Sequence, residues 1–194
     1  MGIIVRQCAL SHRAHPPGTM TTPLERLADR IDRINVAAGW MASWCCLFVV
    51  AAEFAVVVLR YAFGVGSIAL QESLLYAMTA MVLLAAGWTL QTGGHVRVDI
   101  FYGPAKPRAQ AVIDLVGALV FLVPFAAAVV FLSIPYAARS WSILEQSREA
   151  SGLHFTYLLK ALIPLFAVLL GLQGIAQAIR AVLVLTGPPA QPSR

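Results

Sequence analysis

Apolar positions along the chain fall into four long blocks, at about residues 35–59, 70–90, 111–135 and 158–185. Each block is long enough to cross a hydrocarbon core of ~30 Å as a helix rising about 1.5 Å per residue. Short polar stretches separate them. The pattern predicts an all-α integral membrane protein with four transmembrane helices. Ahead of the first block, Leu24, Leu27, Ile31 and Ile34 recur at helical spacing, and Arg26, Asp29, Arg30, Asp32 and Arg33 mostly fill the other faces. Thr22, Pro23 and Glu25 supply an N-cap, a first-turn proline and a capping box. This stretch reads as an N-terminal amphipathic interfacial helix leading into the first span. A plain N-terminal extension of that span satisfies the same pattern. The expected membrane domain covers residues 22–186, flanked by unstructured tails at 1–21 and 187–194 that are rich in proline near the domain.

Within the blocks, the exceptions to apolarity carry the information. Glu53 is counted well inside the first span, and an intramembrane carboxylate is a candidate functional site. It suits coupling-ion or proton work, or pairing within a bundle or with a partner chain. Arg60 and Glu72 flank a short turn made by Gly64 and Gly66, so a pair between them would clamp the hairpin. Pro124 predicts a kink in span three, and Pro135 an end or a second bend. In span four, Ala167, Gly171 and Ile175 form a narrow face, and Gly171 and Gly174 allow close helix approach. Gln173 and Gln177 lie one turn apart, placed to hydrogen-bond to another helix.

The polar stretch at 93–102, GGHVRVDIFY, holds His95, Arg97 and Asp99 and marks a membrane surface, since these groups are costly in hydrocarbon. The stretch at 136–155 reads as a surface helix followed by a Ser-Gly turn, with Trp141, Leu144 and Arg148 on one stripe and Glu145 beside it. Such a helix serves equally as a docking feature or a headgroup contact. Four spans put both termini on one side. Ten of the 14 Lys and Arg residues fall on that side. The positive-inside rule therefore places both termini and the 93–102 stretch in the cytoplasm.

Composition agrees: 59% of residues are hydrophobic and 12% charged, against about a quarter charged in soluble proteins. The net charge of +5 follows from membrane orientation and is no nucleic-acid footprint. Cys8, Cys45 and Cys46 have no metal-ligand spacing. The sequence has no phosphate loop of the G-x-x-x-x-G-K-[ST] type and no H-E-x-x-H. His95 and His154 belong to opposite membrane faces and cannot share a haem. No enzyme chemistry and no cofactor is expected. Two other classes were weighed: a membrane anchor subunit of a redox enzyme, which needs haem or quinone, and a stand-alone small exporter.

Four segments, in order, resemble the small membrane subunit of TRAP transporters, the tripartite ATP-independent periplasmic family. They are RYAFG (60–64) followed by Glu72, GGHVRVDIFY (93–102), SWSILEQS (140–147), and YLLKALIPL with LLGLQGIAQAIR in 157–180. SGLHFTYLLK departs from the Pro-Gly-Gly-Leu-Pro type of turn found in many relatives. The resemblance implies a non-catalytic scaffold in the bacterial inner membrane. Its implied partners are a large permease subunit, which carries organic acids using a sodium gradient, and a periplasmic substrate-binding protein. It marks Glu53, Arg60, Glu72, His95, Arg97, Asp99, Trp141, Glu145, Lys160 and Gln173 as family-motif or interface candidates.

Overall fold

The computed structural model describes residues 22–94, 106–147, 149 and 151–186. They hold four long helices: α1 (Pro23–Phe63), α2 (Ile68–Gln91), α3 (Pro107–Ser142) and α4 (Thr156–Thr186). All four are long and apolar enough to cross a membrane, and no strand occurs among the described residues. The tails at 1–21 and 187–194 and the stretch at 95–105 lie outside the described residues.

The helix expected over the 22–34 stretch is present, and it does not stop before the span. α1 runs unbroken for 41 residues, about 60 Å at 1.5 Å per residue. Thr22 caps it: its hydroxyl accepts from the Glu25 N–H at 3.3 Å, and the Glu25 carboxylate accepts from the Thr22 N–H at 2.9 Å. Gly64 ends it in the left-handed conformation, φ 67°, which a residue without a Cβ adopts freely. Ser67 caps α2 by accepting from the Leu70 N–H.

In α3 the strain expected at Pro124 is absorbed by a π-helical turn, Gly117–Leu122. The Val123 N–H reaches back to the Ala118 carbonyl, five residues away. In an α-helix the Pro124 ring would strike the carbonyl of Val120, and the wider turn relieves that contact. α3 also continues past Pro135 to Ser142. The surface helix expected after Pro135 is therefore the last two turns of α3, and an irregular segment follows it.

α4 is the central helix. It packs on α1, α2 and α3, while α1 and α2 also pack on each other as a hairpin. The interior is built from small residues: Ala38, Ala42, Ala80 and Ala85 pack with Leu84 and Leu169, and Ala28 and Ala176 pack with Ile31. The large side chains point outward, among them Trp40, Phe54, Phe121, Phe131 and Leu132. That is the arrangement lipid requires, since tails solvate large apolar groups and close backbone approach supplies the cohesion. Gly171 meets the Ala126 side chain, and Gly174 meets Leu122, so α3 seats in a notch on α4. Ile175, expected on this narrow face, points outward instead; Ala178 is buried where the 4-3-4 spacing of 167, 171, 174 and 178 continues the face.

Candidate functional site: two polar layers

At the end of the bundle where the helix termini Pro23 and Thr186 lie, α1 and α4 are joined by a side-chain network. The Asn35 amide donates to Gln173 Oε1 at 2.7 Å, and Gln173 Nε2 donates to Asp32 Oδ1 at 3.1 Å. Arg180 closes the chain on both oxygens of Asp32. Asn35 and Gln173 are fully buried. A Cβ at position 87 would overlap Asn35 Oδ1, so Gly87 of α2 gives this amide its space. One turn beyond Gln173, Gln177 donates to the Leu90 carbonyl at the end of α2. Gln173 thus bonds to α1 and Gln177 to α2.

At the opposite end, carboxylates hold the irregular segment between α3 and α4. Glu72 accepts from the Ser147 hydroxyl and from the Leu153 N–H, the latter at 2.5 Å. Gly152 lies so near that a Cβ there would come within 2.7 Å of Glu72 Oε2. Glu145 turns inward, accepting from Ser140 at 2.8 Å and pairing with Lys160. The Lys160 ammonium also sits 4.4 Å from the centre of the Tyr136 ring. Tyr76 and Thr156 share a hydrogen bond of 3.1 Å, and Trp141 packs edge-on against Tyr157.

Two sequence expectations change here. Arg60 does not pair with Glu72: Glu72 is engaged by the 147–153 segment, and Arg60 is exposed in the crook of the α1–α2 hairpin. Trp141 and Leu144 share no helical stripe, because the helix ends at Ser142 and Leu144 has a positive φ of 45°; Arg148, the third residue expected on it, lies outside the described residues. Glu53 is placed along α1 by the neighbours of the residues around it. Phe48 borders a groove with Tyr76, Ala77 and Ala80, and Val56 and Arg60 border a cleft with Leu70 and Gln71. Glu53 therefore stands level with the first two turns of α2, near Glu72. It is exposed on the outer face of α1 and bonds to no described residue. His95, Arg97, Asp99 and Arg148 lie outside the described residues.

On α4, Arg180 in one network and Lys160 in the other stand about 30 Å apart at 1.5 Å per residue. That is the thickness of a hydrocarbon core of ~30 Å.

Residues 48–184 match the family described as "Tripartite ATP-independent periplasmic transporters, DctQ component". The chain belongs to the DctQ family. It is a multi-pass membrane protein of the small permease component of TRAP transporters, a transporter component and not an enzyme. No curated protein and no solved structure matches it.

Asp32 and Asn35 are site residues that the sequence pattern did not mark. Asp32 reads there as one of the polar residues on the outer faces of an amphipathic helix.

Proposed function

We propose that this DctQ subunit is the stationary scaffold of its transporter. It braces a large permease subunit that moves organic acids on a sodium gradient, and it helps a periplasmic substrate-binding protein to dock. The observation that carries this reading is the use made of the polar side chains. Gln173, Asn35, Asp32 and Arg180 tie α1 to α4, while Glu72, Glu145 and Lys160 tie α2, α3 and α4 to the 143–155 segment. Both ends of the bundle are locked by bonds within the chain, which suits a body that holds still while a partner moves. On this reading the end bearing Asp32 and Arg180 faces the cytoplasm of a bacterial inner membrane, as the excess of Lys and Arg there requires. The 143–155 segment then faces the periplasm, where a binding protein arrives.

The test is reconstitution in liposomes. The large subunit, this chain and the binding protein together should take up an organic acid when a sodium gradient is imposed. Omitting this chain should abolish uptake, and this chain alone should transport nothing. Uptake by this chain alone, or full uptake without it, would overturn the reading.

A further inference from the structure

One face of α1 is turned away from the bundle, and its residues change character in order. Ala28, Ile31, Asn35, Ala38 and Ala42 are buried and recur every three or four residues, so they form the stripe that packs on the other helices. The opposite stripe, at the same spacing, reads Arg26, Arg30, Arg33, Ala37, Trp40 and Trp44, and every one of these residues is exposed. Trp40 and Trp44 pack edge to face with 5.6 Å between ring centres. The stripe then runs on through Leu47, Phe54 and Val58, which are exposed as well. Charge, tryptophan and hydrocarbon therefore follow one another along a single helix face. A lipid leaflet is layered in that order, from phosphates through the interface to the acyl chains.

The cations on this stripe have no acid of their own. The two carboxylates between them turn to Arg180 of α4: Asp32 is bound by both of its terminal nitrogens, and Asp29 lies 3.7 Å from it. Glu25 is engaged in the capping box. Arg26, Arg30 and Arg33 form no ion pair with any described residue. Neighbours on such a stripe stand about 5–6 Å apart, inside the Debye length of about 8 Å at physiological salt, so the three act on an anion together. Their level fits a headgroup, since the Asp32–Arg180 pair beside them stands about 30 Å from Lys160 along α4. The planar guanidinium offers paired donors that match a phosphate. An acidic protein surface would answer the charge, but it would not account for the run from cations to tryptophans to Leu47 and Phe54.

We infer that Arg26, Arg30 and Arg33, together with the Trp40–Trp44 pair, form a binding site for an anionic phospholipid in the leaflet at the end of the bundle that bears Asp32 and Arg180. The headgroup phosphate takes the guanidinium groups, and an acyl chain lies along Trp40, Trp44 and Leu47. The site needs no partner subunit, so it stands apart from the scaffold reading above. Each arginine near an anionic surface contributes roughly a fivefold gain in binding, so three that share one headgroup should favour an anionic over a zwitterionic lipid by at least about tenfold.

The experiment uses the full chain with Trp88→Phe and Trp141→Phe, so that Trp40 and Trp44 alone fluoresce. It is reconstituted in phosphatidylcholine bilayers that carry a minor share of either phosphatidylglycerol or phosphatidylcholine with brominated acyl chains. Bromine quenches tryptophan only near contact, so quenching reports the lipid held on this face. The brominated phosphatidylglycerol should compete for the face at least about tenfold better than the brominated phosphatidylcholine, and salt should weaken that preference. Arg30→Gln should lower it roughly fivefold, and Arg26→Gln, Arg30→Gln and Arg33→Gln together should bring it within about twofold of parity. The corresponding triple change to Lys should keep most of it. Native mass spectrometry of the chain with all four tryptophans should show a retained phosphatidylglycerol that the triple Gln variant loses. Equal quenching by the two lipids in the parent would overturn the assignment. So would a preference, or a retained lipid, that the triple Gln variant keeps. Loss of lipid quenching when the large subunit is bound would put a protein on this face and overturn it as well.

Discussion

Replacing Gln173 by Met tests whether the buried amide network holds α1 against α4. The two side chains have nearly the same length, so packing is conserved and the loss is chemical. Gln173 loses its bond from Asn35 at 2.7 Å and its bond to Asp32 at 3.1 Å. Interhelical hydrogen bonds in membrane proteins contribute about 0.6 kcal/mol on average and up to about 1.7. A buried donor left without a good partner adds about 1–3 kcal/mol. Asn35 would then keep only a 3.4 Å bond to the Ile31 carbonyl. The expected cost of Gln173→Met is therefore about 2 kcal/mol. Asn35→Leu should cost a similar amount for the converse reason. The double variant should cost less than the sum, because replacing both partners by apolar groups of similar shape removes the orphaned groups. The assay is reversible unfolding of the purified chain in mixed micelles, followed by circular dichroism, with all four members of the cycle compared. Additive costs, or single-variant costs below about 0.5 kcal/mol, would refute the network as a stabilising device.

Gly87→Ala should destabilise by about 1–3 kcal/mol in the same assay, since the added methyl meets the Asn35 amide and the Leu169 carbonyl; Gly117→Ala, which meets open space, should be close to neutral. Glu72→Ala should free the 147–153 segment and speed hydrogen exchange at the Leu153 amide about tenfold, for the loss of a bond worth roughly 1.5 kcal/mol. Lys160→Met should lower stability more than Lys160→Met combined with Glu145→Gln, because the single change leaves Glu145 without its cation. Glu53→Ala should leave membrane insertion of the first span within about 0.5 kcal/mol of the parent, whereas Leu47→Glu, two turns deeper, should cost about 2 kcal/mol in a glycosylation-based insertion assay. A large gain in insertion from Glu53→Ala would place that carboxylate in hydrocarbon.

The four spans were legible because a bilayer leaves few choices. A long apolar block has to be helical, and its length is set by the hydrocarbon. The capping box at Thr22 and the turn at Gly64 were equally plain, since both rest on local chemistry. What the sequence concealed was the register between the helices. Phe48 borders a groove with Tyr76, and Val56 a cleft with Leu70. The partner of Glu72 was misread because that register was hidden. Arg60 is nearest in sequence, but Ser147 and the Leu153 amide are nearest in space, 75 and 81 residues away. Proline effects were half legible: Pro124 announced a disturbance, but nothing in the apolar pattern showed that a π-helical turn would absorb it.

The placement of polar groups has a consequence for how this subunit holds together. Apolar helices in lipid gain nothing from hydrophobic association, because the tails are as apolar as leucine. Cohesion then has to come from close contact between small residues and from bonds between polar ones. α4 supplies both along its whole length, with Ala167, Gly171, Gly174 and Ala178 toward its neighbours and Lys160, Gln173, Gln177 and Arg180 bonded across. α3 depends on α4 for the seat at Leu122 and Ala126 and on the Lys160–Glu145 pair at one end. The motif residues Glu72, Glu145 and Lys160 therefore point into the chain and fix the 143–155 segment, so they are spent on internal order.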